Sequence, residues 1–154
     1  MRFTSQEEYG LRCLVQMARE PARLWTIGDI AEREGLTRAY VAKLLAALGR
    51  AGLISATRGR AGGYRLARAP GEIDLAAALD ALDARLYEED FCQRFPGTQK
   101  VCVHDTDCAI RGLWRALDGA VHATLARTRL TDLIGPRHHP RVAAAPPAAA
   151  GAGA

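Results

Sequence analysis

The sequence has little that would place it in a membrane or an oxidising compartment. Its first twenty residues carry charges throughout and contain no apolar run of the kind found in secretory signals. Nothing approaches the roughly 18 consecutive apolar residues that a membrane-spanning helix needs. There are only four cysteines in 154 residues, and in a reducing compartment these are free thiols or metal ligands rather than structural disulfides. We expect a soluble, cytoplasmic protein with no membrane partner.

The motifs of common enzyme classes are missing as well. The chain contains no GxSxG nucleophile turn, no Walker phosphate loop and no HExxH metal motif. Aromatic residues make up 6% of the chain, which argues against a large ligand pocket lined by rings. His122 falls on a predicted helix and His138 and His139 in a polar tail, so we interpret them as packing or solvated residues. The sequence predicts a protein that is not an enzyme.

The charge is distributed unevenly along the chain. With 49% apolar and 25% charged residues the chain has the composition of a globular protein. Residues 1–72 contain twelve basic and seven acidic residues, residues 73–92 one and six, and residues 93–154 eight and four. A basic N-terminal unit suits a polyanion partner such as DNA. An Arg-rich composition alone would give the same balance, so motifs have to decide.

Two short helices joined by a tight turn are predicted within this basic unit. Thr26 can cap the first, with Asp29 three residues later in a capping box, and Gly35 can end it. Thr37 can cap the second, which runs to about Gly52. This is the helix-turn-helix pattern.

The second helix of this pair has one apolar stripe. Val41, Leu44, Leu45 and Leu48 fall at i, i+3, i+4 and i+7, which buries one face. The residues that we expect to face a DNA major groove are Thr37, Arg38, Tyr40 and Lys43.

A basic hairpin follows the helix-turn-helix. Residues 53–58 and 64–68 read as strands, and the Gly-rich turn 59–63 permits the positive φ that a hairpin needs. Arg58, Arg60 and Arg65 surround the tip, where they can lie near phosphates or a minor groove. A helix-turn-helix followed by such a hairpin predicts a winged helix, although a solvated hairpin without a role would look the same.

The C-terminal half combines a cysteine loop with a long helix. A short helix is predicted over 73–82 and a long one over 109–128. The apolar stripe of the long helix consists of Ile110, Leu113, Trp114, Leu117, Val121, Thr124 and Leu125. Such a stripe suits a second copy of the same helix, or packing on its own domain.

The expected fold is therefore mainly α: a winged helix-turn-helix domain with a two-stranded β wing, plus a long C-terminal dimerisation helix. The predicted units are a DNA-binding domain at 1–72, a linker helix and cysteine loop at 73–108, the dimerisation helix at 109–133 and a disordered tail at 134–154.

Together these segments resemble the Rrf2 family of transcription regulators. The resemblance is carried by residues 34–40, by the RGRAGGYRLA wing at 58–67, and by the three late cysteines, and it covers about residues 1–133. It implies a homodimer that binds a double-stranded DNA operator. It also implies one iron–sulfur cluster per subunit, [2Fe-2S] or [4Fe-4S], at the dimer interface.

The resemblance also implies the ligands. The three cysteines would be Cys92, Cys102 and Cys108. In the nitric-oxide-sensing branch the fourth ligand is a carboxylate from the partner's first helix, where this chain has Glu8. In the iron–sulfur-assembly branch it is a histidine three residues after the last cysteine, where this chain has Arg111. Nine residues separate the first two cysteines, and this long loop makes His104 the alternative to Glu8.

Three thiolates and one harder ligand suit a sensor, because the weaker fourth bond makes a cluster labile. The sequence thus predicts a DNA-binding regulator whose operator affinity follows redox state, nitric oxide, or iron and cluster supply. The alternative is a winged-helix regulator that uses zinc, on the three cysteines and His104, or a bare thiol switch. An iron–sulfur carrier would explain the cysteines but not the wing.

Overall fold

The structure is a computed structural model that describes residues 3–84, 87, 90–104 and 106–135. The described residues form α1 (Ser5–Arg19), α2 (Ile27–Glu34), α3 (Arg38–Arg50), β1 (Ile54–Thr57), β2 (Gly63–Leu66), α4 (Leu75–Asp80), α5 (Phe91–Arg94) and α6 (Ala109–Arg127), with 3-10 turns at Pro70–Glu72 and Leu130–Leu133. None of these helices combines the length and apolar character needed to cross a membrane. Most of the predicted tail, residues 136–154, lies outside the described residues.

The ends of α2 and α3 follow from local side chains. At the start of α2 the Asp29 amide donates to Thr26 Oγ1 (3.1 Å), and the Thr26 amide donates to the Asp29 carboxylate (3.0 Å). The second of these bonds lowers the pKa of Asp29. Gly35 ends α2 in the left-handed region at φ 66°, and Thr37 Oγ1 accepts from the Tyr40 amide to cap α3. The predicted caps are confirmed.

The core forms where α1, α2 and α3 pack together. Cys13 is fully buried in it, and burial raises the pKa of its thiol to about 12. Cys13 is thus a small core residue. The largest fully buried side chains are Trp25, Leu14, Met17, Ile30, Leu44, Leu45, Leu48, Leu53, Ile73, Leu82, Leu130 and Val41.

The wing is an antiparallel pair in which Ile54 faces Leu66 and Thr57 faces Gly63. Its strands are shorter than the predicted segments 53–58 and 64–68. A Cβ at Gly62 would overlap the Thr57 carbonyl oxygen, so the tight turn requires a glycine there.

Two features of the wing region come from elsewhere in the chain. Trp25, in the loop before α2, pairs with Tyr64 of β2 through two backbone hydrogen bonds of 2.8 Å. A third segment of backbone is thus added beside the hairpin. The guanidinium carbons of Arg23 and Arg33 lie 4.2 and 4.7 Å from the Trp25 ring centroid.

The chain after α6 returns to the N-terminal half of the protein. The Leu75 amide donates to the Thr128 carbonyl, and the Leu130 amide donates to the Ile73 carbonyl, each at 2.9 Å. Leu130 is fully buried in the same core, and the turn that carries it contacts α1. One core therefore contains residues from both sides of position 72.

Candidate nucleic-acid interface and cysteine segment

An open groove of about 920 Å³ runs between α3 and the wing. Its walls are the N-terminal turns of α2 and α3 on one side and the end of β1 with the wing turn on the other. It is lined by Thr26, Ile27, Gly28, Arg38, Ala39, Ala42, Ala56, Thr57, Arg58, Gly59, Gly62, Gly63 and Tyr64. Two of the predicted DNA-binding arginines, Arg38 and Arg58, thus lie on opposite sides of one groove.

Arg38 is positioned by a glycine. Its Nη2 atom lies 3.4 Å from where a Cβ at Gly28 would stand, so its guanidinium lies against the first turn of α2. Arg58, Arg60 and Arg65 are all exposed on the wing. They extend the positive charge from the groove to the tip of the hairpin.

The basic residues of the groove and wing differ from those of the supporting helices in their pairing. Arg12 pairs with Glu8 at 2.8 Å, and Arg33 with Glu20 at 2.8 Å. Among the described residues, no carboxylate forms an ion pair with any of the predicted DNA-binding cations, Arg38, Lys43, Arg58, Arg60 and Arg65. Their charge is available to an external anion.

The residues of α3 that are predicted to contact DNA do not all lie on one face of the helix. Tyr40 is half-buried against Tyr9, edge to face with centroids 6.0 Å apart, and its hydroxyl lies 3.4 Å from Ser5 Oγ. Lys43 is exposed and borders a different cleft, which also includes Arg50. Thr37 uses its hydroxyl to cap the helix.

The three late cysteines are free and half-buried. Cys92 lies on α5, and its Sγ is 4.0 Å from the hydroxyl of Tyr87. Burial, and next the hydrogen bond with Cys92, raise the pKa of Tyr87. Cys108 caps α6, where its Sγ accepts from the Arg111 amide at 3.4 Å.

The predicted ligands do not meet within a single chain. In the described part of the molecule no three Cys, His, Asp or Glu side chains lie close enough to hold a metal ion. The Glu8 carboxylate is more than half exposed and accepts from Arg12 Nε, and His104 is exposed. The donor set itself fits an iron–sulfur cluster, because it offers three accessible thiols and a backbone amide already directed at one sulfur.

The apolar stripe of α6 is divided into two parts. Val121 and Leu125 face Ala76 and Leu79 of α4, so the C-terminal half of α6 packs on its own chain. The N-terminal half remains exposed: Ile110 by 62%, Leu113 by 53%, Trp114 by 40% and Leu117 by 42%. Phe95, Val101 and Val103 of the cysteine segment are exposed too.

Sequence reasoning missed the small residues of the groove. Gly28, Ala39 and Ala42 line it, although none carries a charge or hydrogen-bonding side chain. The periodicity of α3 contains the signal, because Ala39 lies opposite the buried leucine stripe.

A helix-turn-helix, a Gly-dependent basic hairpin beside it and an exposed helix beyond it define a winged helix-turn-helix protein. Residues 3–136 match the Rrf2 family, described as an iron-dependent transcriptional regulator. The chain belongs to this family.

Its relatives are transcription regulators. The chain is 30% identical over 135 residues to the HTH-type transcriptional regulator IscR of Xenorhabdus nematophila, covering 87% of this chain and 79% of the relative. It is 34% identical over 134 residues to the putative HTH-type transcriptional regulator slr0846 of Synechocystis, covering 86% and 87%. The chain is thus a transcriptional regulator homologous to IscR, and not an enzyme.

Solved structures show the same fold. IscR of T. potens superposes with a TM-score of 0.67 at 25% identity, covering 87% of this chain and 86% of that one. CymR, the global cysteine regulator of B. subtilis, superposes with a TM-score of 0.66 at 25% identity, covering 87% and 96%.

Proposed function

We propose that this regulator is a homodimer whose affinity for a DNA operator is controlled by an iron–sulfur cluster on Cys92, Cys102 and Cys108. The observation that carries the proposal is the position of the cysteine segment. Three free, half-buried thiols lie in the residues leading into α6, whose first half has an uncovered apolar face. Cofactor and dimer contacts would therefore share one stretch of chain.

The DNA contacts follow from charge and exposure. The first turns of α3, with Thr37 and Arg38, would enter the major groove, and Arg58, Arg60 and Arg65 would lie along the phosphates and the adjacent minor groove. Lys43, on the next face of α3, would reach the backbone or a base edge. Tyr40 acts chiefly by holding α3 against α1, and its direct contact with DNA remains a prediction.

The dimer would be formed by the first half of α6. Four large apolar side chains on one helix face are costly to leave in water. A second copy of this helix, related by a twofold axis, would cover them and set two recognition helices on two half-sites.

The fourth cluster ligand in this proposal is Glu8 from a second copy of the chain, with His104 as the alternative. Glu8 is accessible on α1, where its present partner is the exposed Arg12. When bound, the cluster supplies a redox-active and chemically labile centre. This chain supplies soft thiolates, an amide donor to Cys108 Sγ and, at Glu8, a bond that is weaker than those of the thiolates.

Control of DNA binding would act through α1. This helix carries Glu8 and contacts α3 through the Tyr9–Tyr40 ring pair. A ligand bond at Glu8 would therefore fix α3 relative to the partner's cysteine segment. A coupling of roughly 1–3 kcal/mol is enough for a several-fold to hundred-fold change in operator affinity. If Glu8→Ala kept the cluster and its full effect on DNA binding, this link would be wrong.

The first experiment is a visible absorption spectrum of protein purified without air, with iron, sulfide and zinc assayed on the same sample. We expect a brown protein with iron and sulfide, whose ratio to protein separates [2Fe-2S] from [4Fe-4S]. Cys102→Ser should lose the colour, and the buried Cys13→Ser should keep it. A protein that stays colourless after anaerobic reconstitution would refute the cluster.

A zinc- or thiol-based regulator is the second candidate. Its thiol version is favoured by the three free cysteines and by the likeness to CymR, the global cysteine regulator of B. subtilis. Another solved relative is the oxidised form of CymR from Staphylococcus aureus, at 25% identity and a TM-score of 0.65. Colourless protein with one zinc per chain, bound by the three cysteines and His104, would favour the zinc version.

A further inference from the structure

The outer face of the recognition helix α3 is made largely of methyl groups. Its buried stripe faces the core, and the face turned away from that stripe carries Ala39, Ala42 and Ala46. Ala39 and Ala46 are exposed and Ala42 is half-buried. The charged neighbours, Arg38 and Lys43, stand at the two edges of this face.

The groove repeats this arrangement. Ala39 and Ala42 form its α3 wall, and Ala56 and Thr57 add further methyl groups from the wing. Arg38 lies back against α2 at Gly28. Positive charge is thus at the rim, and within the part of the chain that the structure describes no amide or carboxylate side chain lines the groove.

Different side chains read different base edges. Guanine is read by bidentate Arg or Lys, adenine by Asn or Gln, and cytosine by carboxylates, whereas alanine offers only a methyl group. In the major groove the complementary apolar feature is the C5-methyl group of thymine. An alanine face is too short to reach base-edge polar atoms, but it allows a close approach to that methyl group.

We propose that the recognition helix reads its operator through thymine methyl groups packed against Ala39 and Ala42, with the arginines positioning the backbone. This inference rests on the proposed DNA-binding function and specifies its substrate as half-sites with thymines at the positions facing these two alanines. Base-edge hydrogen bonds from α3 would then contribute little to specificity.

The test begins by selecting binding sites for the full-length protein from random DNA duplexes. Each thymine in the selected half-site is then replaced by deoxyuridine, which keeps the base pairing and removes only the methyl group. Losing one packed methyl group should weaken binding about fourfold. Deoxyuridine outside the half-site serves as the control and should change nothing.

A second measurement assigns the contact to the protein. In Ala42→Gly the methyl partner is gone, so deoxyuridine at the matching position should no longer weaken binding. Ala47→Gly, on the opposite edge of α3 beside a different cleft, controls for the lower helix propensity of glycine and should keep the fourfold sensitivity. A double-mutant cycle isolates the pair.

The outcomes separate the two levels of proposal. Selected sites that tolerate deoxyuridine at every half-site position would overturn methyl reading and leave DNA binding intact. Selection that enriches no sequence would overturn the proposed operator function, and methyl reading with it. If Ala42→Gly fails to fold by circular dichroism, the deoxyuridine series on the unaltered protein still decides the inference.

Discussion

Leu113→Ala tests whether the exposed half of α6 is the dimer interface. Leu113 is 53% exposed on the described chain. Burying this exposed part of the side chain on association is worth about 1 kcal/mol per subunit. A twofold axis places the same substitution on both sides. The loss is then about 2 kcal/mol per dimer, or roughly a thirtyfold rise in the dissociation constant.

Sedimentation equilibrium over a dilution series measures this constant directly. Intrinsic fluorescence gives an independent reading, because Trp25 is fully buried and Trp114 is 40% exposed. On association, only the fluorescence emission of Trp114 should shift to shorter wavelength. Leu24→Ala is the matched control, since Leu24 is 37% exposed but lies in the loop before α2. A dissociation constant for Leu113→Ala within threefold of the unaltered protein would refute the reasoning.

Two further substitutions and one labelling experiment test the wing, the core and the buried thiol. Arg60→Ala should weaken operator binding and make the slope of log affinity against log salt concentration shallower by about 0.9 per lost phosphate contact. Titration at several salt concentrations measures both effects. Arg19→Ala, on the exposed end of α1, should alter neither. Gly10→Ala should lower the free energy of unfolding by about 1–3 kcal/mol, because its Cβ would overlap the Leu82 methyl groups; urea denaturation checks this, and an unchanged midpoint would contradict the contact. In protein freed of any bound metal, Cys13 should resist iodoacetamide at pH 8 while the three late cysteines react, because its pKa is raised to about 12 and its thiol stays protonated below that pH. Mass spectrometry that finds Cys13 modified in folded protein would contradict its burial.

Local features of the fold were predictable because neighbouring residues determine them. The capping box of Thr26 and Asp29 and the left-handed Gly35 each depend on fewer than five positions, and the structure has all of them. The sequence predicts that one face of α6 is apolar. It does not predict that half of this face packs on its own chain while the other half stays exposed. Packing on its own domain holds for the C-terminal half, where Leu125 lies against α4. Leu113 stays exposed, and its covering by a second copy of the helix stays a prediction.

Contacts between distant positions were not predictable from periodicity. The bridge from Trp25 to Tyr64 uses one residue of a loop, too short a segment to give a strand signal. Tyr40 lies at the edge of the outer face of α3, and the ring of Tyr9, far away in sequence, directs it towards α1. The cysteines are a different case, because the proposed ligand set would be completed by a second chain, and periodicity within one chain does not predict how two chains meet.

The return of the chain after α6 has a consequence for biosynthesis. Leu130 is buried in the core beside α1, yet the ribosome adds it after the cysteine segment and all of α6. A growing chain that stops before Leu130 leaves a leucine-sized gap, which costs about 2–5 kcal/mol in a packed core. The winged helix therefore reaches its full stability only once the segment that carries Cys92, Cys102 and Cys108 has been made.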